Sequence, residues 1–200
     1  MKKFIAGLCM FLICSISFAE KSQIVAQQLY VPIFCGGQPM GTGFPVDTNL
    51  LMTAGHVRCP EGEATTISID HGKTWISEED WLVNGDFDVA ILTVTGKPFK
   101  EFAHFRDPKL GETVSGYGIP YDGLLSTGIV AHLEDYFVFT TNIPIGGMSG
   151  SAVVGADGKV VGMVNFGLPD QRVGGTLSGG YQAKVLTDLI KSFKEFKGAK

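Results

Sequence analysis

The chain has 200 residues, 44% apolar and 18% charged, with a formal charge of −4. This length allows one sizeable domain or two small lobes and excludes a multidomain array, and the apolar share excludes a disordered chain. An acidic chain without a block of basic residues gives no reason to expect nucleic acid or an anionic membrane as partner, while 27 glycines favour many tight turns and an all-β body.

Lys2 and Lys3 open the chain, an apolar run of 15 residues follows from Phe4 to Phe18, and Ser17-Phe18-Ala19 places small residues at the two positions a signal peptidase reads. This predicts a secretory signal peptide over residues 1–19, cleaved after Ala19. The run falls short of the roughly 18–20 residues that cross a bilayer, so no stable membrane anchor is expected after processing. Cys14 follows Ile13 rather than the small residue of a lipoprotein signal. Processing removes Lys2 and Lys3 and takes the formal charge from −4 to −6. The expected location is secreted or periplasmic. Of the four cysteines, Cys35 and Cys59 remain, and in an oxidising compartment one disulfide between them is the default pairing, stabilising by roughly 3 kcal/mol through its closed loop. Two thiols without a histidine pair at ligand spacing predict no metal, and no other cofactor is expected.

Runs of β-forming residues then recur between turn signals: 28–34, 43–46, 50–53, 65–69, 89–94, 113–117, 128–133, 136–140, 151–154 and 160–166. Asp157-Gly158 between two apolar runs is a hairpin signal, and Gly36-Gly37, Gly85-Asp86, Pro120 to Gly123 and Gly174-Gly175 mark further turns. Many short, regularly punctuated strands mean a sandwich or barrel. The stretch from Gly96 to Lys109, with Pro98 and Pro108, reads as a linker between two lobes, giving expected divisions at 20–105 and 106–200. Only the end reads as a helix: from Ala183, residues Val185, Leu186, Leu189, Ile190 and Phe193 share one face, with Lys184, Lys191, Lys194 and Lys197 off it or toward its end. The expectation is a lid packed on a barrel.

Three stretches carry chemistry. His56 ends an apolar run, Leu50-Leu51-Met52, in the small-residue turn Thr53-Ala54-Gly55, where an imidazole titrating near neutrality can take and return a proton. Asp88 stands just ahead of the buried run Val89-Ala90-Ile91-Leu92 and suits an acceptor for His56; its rival Asp86, after Asn84-Gly85, reads as a turn aspartate. Ser149 lies in Gly146-Gly147-Met148-Ser149-Gly150-Ser151, where glycines permit a strained backbone and let the N–H groups of Gly147 and Ser149 converge on one point. Ser151 is the rival nucleophile, but it begins an apolar strand and reads as packing. His71, His104 and His132 have no flanking motif and read as structural or surface residues.

Together these stretches resemble the trypsin-like (chymotrypsin-fold) serine peptidases, in style nearest the bacterial HtrA-like and glutamyl-endopeptidase branches, without the PDZ peptide-binding domain of HtrA proteins. Gly41-Thr42-Gly43-Phe44-Pro45-Val46 with Leu51 to Val57 is similar to the family's histidine block, Asp88 to Leu92 to its aspartate block, and Gly158 to Gly167 to the strand that binds substrate backbone. The resemblance implies two six-stranded antiparallel β-barrels and a C-terminal helix, with His56 and Asp88 from the first barrel and Ser149 from the second. It also implies an oxyanion hole from Gly147 and Ser149, a substrate strand at Asn165, Phe166 and Gly167, and support of the aspartate by Asn165. The Cys35–Cys59 pairing resembles the disulfide beside the histidine in animal relatives. Met148 replaces the aspartate that digestive relatives use to capture a freed N-terminus, which argues against their mode of zymogen activation. The expected activity is serine endopeptidase on peptide or protein substrates, with no preference for Lys or Arg because the expected pocket floor, Thr141 to Ile145, carries no charge. A non-catalytic binding module on the same fold is the rival from another class. Ester hydrolysis fits less well, since Gly147 to Ser151 does not match the esterase elbow Gly-x-Ser-x-Gly. Oligomeric state is left open.

Overall fold

The computed structural model describes residues 20–70, 75–78, 81–84, 86–96, 99–119, 123–170 and 175–198, with residues 75–78 and 170 as backbone. The leader expected over residues 1–19, His71 and the turn positions Gly85, Pro98, Pro120 and Gly174 lie outside the described residues.

Among the described residues, fourteen strands form two antiparallel sheets. The first contains β1 (Val31–Cys35), β2 (Gln38–Asp47), β3 (Leu50–Ala54), β4 (Thr65–Ser68), β5 (Trp75–Glu78), β6 (Trp81–Asn84) and β7 (Val89–Thr93), in the order β5-β4-β1-β2-β3-β7-β6. Its two ends meet where the Trp81 indole on β6 donates to the Thr65 hydroxyl on β4 at 3.0 Å. The second contains β8 (Thr113–Gly118), β9 (Leu124–Leu133), β10 (Phe137–Thr140), β11 (Ala152–Gly155), β12 (Val160–Met163), β13 (Phe166–Asp170) and β14 (Gly175–Tyr181), in the order β12-β11-β8-β9-β10-β14-β13. A bridge between Gly162 and Gln182 curls it round on itself.

The continuous apolar runs are strands because both of their faces are buried. Leu51 on β3 and Leu92 on β7 point into a core inside the first sheet with Ile33 and Ile67. Their neighbours Leu50, Met52 and Ile91 point the other way, into a seam shared with Ala152, Val154, Val160 and Met163 of the second sheet. Val153 and Val161 turn inward to the second sheet's own core, with Val114, Val138 and Met148. Side chains alternate every residue along a strand, so each run feeds a barrel interior and the seam by turns. The chain crosses between the sheets over a few residues: Ala103 N–H donates to the Pro45 carbonyl at 2.8 Å, and the His104 carbonyl accepts from Val160 N–H at 2.7 Å.

The all-β class, the paired antiparallel sheets and the C-terminal helix are as expected, and each sheet carries a seventh strand beyond the expected six. Other details need correction. The strand expected over 28–34 begins at Val31, because residues 20–28 form a helix, α1, in a chain expected to be helical only at its end. Its buried positions are Ser22 and Ala26 at i and i+4, continued just past its end by Leu29 at i+7, a stripe whose first member is polar and whose second is small. The run 160–166 breaks at Val164-Asn165 into β12 and β13. Glycine-rich β14 has weak strand propensity, yet glycine is required there: a Cβ at Gly179 would come within 2.6 Å of the Phe166 ring, and one at Gly180 within 2.7 Å of the Met163 carbonyl carbon.

The C-terminal helix α2 (Ala183–Gly198) buries Val185, Leu186, Ile190 and Phe193 in the seam rather than on one barrel alone. Lys194 pairs with Asp47 of the first sheet and holds that carboxyl below its ordinary range, chiefly through their hydrogen bond. Cys35 and Cys59 are joined in a disulfide that ties the end of β1 to the segment after His56.

Candidate active site

The pairing of β3 with β7 sets the first half of the site. Ala54 lies opposite Val89 in that ladder, so the residues just beyond them, His56 and Asp88, emerge at the same sheet end despite their separation in sequence. His56 occupies a short 3₁₀ turn, Gly55–Val57. Gly55 makes room: a Cβ there would lie 2.9 Å from Asp88 Oδ1. His56 N–H donates to Asp88 Oδ1 at 2.8 Å, and His56 Nδ1 stands 2.7 Å from Asp88 Oδ2.

Asp88 is further held by the Asn165 amide, which donates to Asp88 Oδ2 at 3.2 Å and to the Asp88 carbonyl at 2.5 Å. Asp88 N–H donates to the Tyr181 hydroxyl at 3.3 Å. Burial pushes the Asp88 carboxyl up, but the hydrogen bonds from His56 and Asn165, joined by the His56 amide and charge, outweigh it and hold the carboxyl below its ordinary value. The hydrogen bond to Asp88 raises the His56 ring above 6.5, against an opposing effect of burial. An ionised Asp88 beside Nδ1 favours the tautomer with the proton on Nδ1, leaving the Nε2 lone pair free to accept one.

The second half is the turn from Gly146 to Ser151. Gly147 and Gly150 have φ of 91° and 83°, in the left-handed region that glycine adopts without penalty. The turn is locked against the histidine block. Thr42 N–H donates to the Ser149 carbonyl at 2.9 Å, and a Cβ on Gly150 would collide with the Thr42 carbonyl and the Thr53 hydroxyl. A Cβ on Gly41 would reach both Val57 Cγ2, at 2.6 Å, and the Ser149 carbonyl oxygen, at 3.1 Å. One methyl-sized space therefore separates the residue after His56 from the backbone of Ser149.

The amides of this turn divide into two sets. Met148, Gly150 and Ser151 donate to the carbonyls of Ile145, Val164 and Met148 at 3.1, 2.7 and 3.0 Å. Among the described residues, the N–H groups of Gly146, Gly147 and Ser149 donate to no protein acceptor, and no hydrogen bond joins the Ser149 hydroxyl to the His56 ring. The Met148 side chain is buried in the second core, anchoring the turn from below.

The rivals are otherwise engaged. Asp86 is exposed and its N–H donates to Asn84 Oδ1 at 2.9 Å, as in a capped turn. Ser151 is fully buried and its hydroxyl donates to the Met148 carbonyl at 2.7 Å. Among the other histidines, His132 lies on the surface beside Glu134, and the His104 ring lies against Phe102.

Asn165 is buried and commits its amide to Asp88, whereas Phe166 and Gly167 begin β13, the last strand in its sheet's order. Gly167 faces Pro144, whose ring carbons would be 3.2 Å from a Cβ placed there. Over the expected pocket floor, Ile143 is exposed, and Asn142 is buried with its amide on the Ser126 carbonyl at 2.8 Å.

A model of the trypsin-like peptidase domain matches residues 41–163. The chain belongs to the trypsin-like peptidase family. The fold resembles the crystal structure of the serine endoprotease from Yersinia pestis, with a TM-score of 0.71 at 19% identity, covering 87% of this chain and 65% of that one. It likewise resembles neuropsin, a serine protease expressed in the limbic system of mouse brain, with a TM-score of 0.71 at 14% identity, covering 85% of this chain and 96% of that one. The chain thus spans about two thirds of the Yersinia protein's length. No curated protein matches it in sequence.

Two contributors escaped the sequence reading. Tyr181 stands in the sequence just ahead of the C-terminal helix, and Thr42 within the histidine block. Neither role has a local signal, since Tyr181 meets Asp88 across 93 residues and Thr42 meets Gly147 across 105.

Proposed function

We propose that this protein is an exported serine endopeptidase whose catalytic residues are His56, Asp88 and Ser149. The supporting observation is one juxtaposition. A His56–Asp88 pair with its Nε2 free to accept a proton is packed against a serine turn whose Gly147 and Ser149 amides lack acceptors. Ser149 Oγ attacks the peptide carbonyl carbon while His56 Nε2 takes the hydroxyl proton, and Asp88 stabilises the imidazolium. The carbonyl oxygen becomes an oxyanion that accepts hydrogen bonds from Gly147 and Ser149. Collapse breaks the C–N bond, His56 returns the proton to the leaving amine, and water activated by His56 hydrolyses the Ser149 ester.

An extended peptide adds to β13 alongside Phe166 and Gly167, a strand-addition mode, with Asn165 supporting Asp88 from beneath. The first lobe, 20–105, supplies His56 and Asp88, and the second, 106–200, supplies Ser149. Residues 1–19 direct the chain to the periplasm or the exterior, consistent with the Cys35–Cys59 disulfide.

The test is digestion of a denatured protein mixture with wild type and Ser149→Ala, with new termini mapped by mass spectrometry. Cleavage by wild type and none by the variant is the expected result. Equal cleavage by both would overturn the role of Ser149, and no cleavage by wild type would turn the reading to a non-catalytic module. The same termini read out cut-site preference, which should show no bias toward Lys or Arg.

A further inference from the structure

We infer that Thr42, a residue of the first sheet, is a positioning residue for the oxyanion-binding amides of the second. The inference rests on the reading of Ser149 as nucleophile. Thr42 is buried, and its backbone and side chain grip the nucleophile turn at two points. Its N–H donates to the Ser149 carbonyl at 2.9 Å, and its hydroxyl donates to the Gly147 carbonyl at 2.7 Å. The hydroxyl oxygen also accepts from Ile119 N–H at 3.2 Å, and the Thr42 carbonyl accepts from the Thr53 hydroxyl at 2.6 Å. Both residues whose carbonyls Thr42 holds have amides that donate to no protein acceptor.

Peptide planarity and glycine's freedom give this grip its consequence. The peptide between Gly147 and Met148 is held at both ends: Thr42 holds its carbonyl, and its N–H donates to Ile145 at 3.1 Å. A planar unit fixed at both ends cannot rotate. Gly147 has no side chain to resist a change of φ or ψ, so its neighbouring peptide must be pinned by partners if its own N–H is to keep one direction. Ser149 N–H is set in the same manner, because the Met148 carbonyl across its peptide accepts from both the amide and the hydroxyl of Ser151. The site of the Thr42 bond is closely packed. A Cβ at Gly118 would stand 3.1 Å from Thr42 Oγ1 and 3.2 Å from the Gly147 carbonyl oxygen. Removing the hydroxyl leaves two half-buried groups, the Gly147 carbonyl and Ile119 N–H, without this partner.

The experiment compares Thr42→Val, which keeps the volume and removes the hydroxyl, with Thr42→Ser, which keeps the hydroxyl. Three quantities are measured: kcat and KM on a peptide substrate, the Ki of a peptide aldehyde whose hemiacetal oxygen occupies the oxyanion position, and Tm. Active-site titration with a phosphonate counts competent enzyme, so loss of folded protein is not read as loss of rate. In Thr42→Val, kcat and aldehyde affinity should fall together, by about tenfold to hundredfold, with KM within about twofold. Thr42→Ser should recover both to within about threefold of wild type. Unchanged kcat and Ki in Thr42→Val would overturn the role, as would a loss of kcat without loss of aldehyde affinity, or a loss that Thr42→Ser fails to recover. Wild type inert toward substrate, aldehyde and phosphonate alike would instead overturn the peptidase reading on which the role depends.

Discussion

Every polar atom of Asp88 has a partner, whereas at the Ser149 turn the amides of Gly147 and Ser149 have none among the described residues. Both carboxylate oxygens, the amide and the carbonyl of Asp88 are hydrogen-bonded, to His56, Asn165 and Tyr181. Among the described residues the N–H groups of Gly147 and Ser149 have no acceptor, although those of Met148, Gly150 and Ser151 do. The difference matches the roles proposed for the two corners. A group that orients the base must keep one position throughout the reaction, so its bonds are made within the protein. A group that stabilises a charge formed only during the reaction must wait unpaired, held in place by its neighbours. The corners are tied through the seam by Thr42, Asn165 and Tyr181, each joining one sheet to the functional residue of the other.

Breaking the satisfied corner gives the largest effect. Asp88→Asn should lower kcat by roughly 10⁴-fold, because an amide at this position disrupts the His56 tautomer. It should also move the pH profile. In wild type, kcat/KM should fall as pH drops and His56 becomes protonated, with a midpoint above 6.5 because Asp88 favours the imidazolium. The variant should bring that midpoint down toward 6.5. The sign for stability is opposite: the protonated His56–Asp88 contact stabilises fully below 6.5 and is lost as pH rises through the elevated folded value. The contribution of Asp88's lowered value is present above 3.8 and is lost as pH falls through it. Urea denaturation across pH checks both limbs.

Loosening the scaffold while leaving both corners chemically intact gives an intermediate effect. Cys35→Ala with Cys59→Ala should cost about 3 kcal/mol of stability by the loop-entropy estimate, seen as a lower urea midpoint. Turnover at low temperature should change little, because no polar atom of the site is lost. The smallest effect sharpens the contrast most finely. Asn165→Ala removes one donor to the Asp88 carboxylate while leaving both bonds from His56, and should lower kcat/KM about tenfold, in keeping with about 1.4 kcal/mol for a hydrogen bond to a charged group. Steady-state kinetics on a single peptide substrate resolves it from the Asp88→Asn loss.

The sequence made the strands and the chemical blocks legible for one physical reason. Runs such as Leu50-Leu51-Met52 and Val89-Ala90-Ile91-Leu92 are buried on both faces, so they are uninterrupted and end sharply at His56 and begin sharply after Asp88. Helix α1 was hidden because its buried face begins with Ser22 and Ala26. Strand β14 was hidden because Gly179 and Gly180 are set by collisions with Phe166 and Met163, which are visible only in three dimensions. The position of Asn165 was read both as substrate strand and as support for the aspartate, and its side chain lies on Asp88 while the exposed strand begins at Phe166. The grip of Thr42 on Gly147 spans 105 residues, and no local pattern encodes a contact at that range.

Ser149, and no other hydroxyl, is the proposed nucleophile activated by the His56–Asp88 pair. Labelling with a fluorophosphonate, followed by mass-spectrometric mapping of the adduct, tests it most directly. One adduct on Ser149, slowed in Asp88→Asn and absent in Ser149→Ala, is the predicted result. An adduct on Ser151, labelling that persists in Ser149→Ala, or a wild-type protein that remains unlabelled would contradict it.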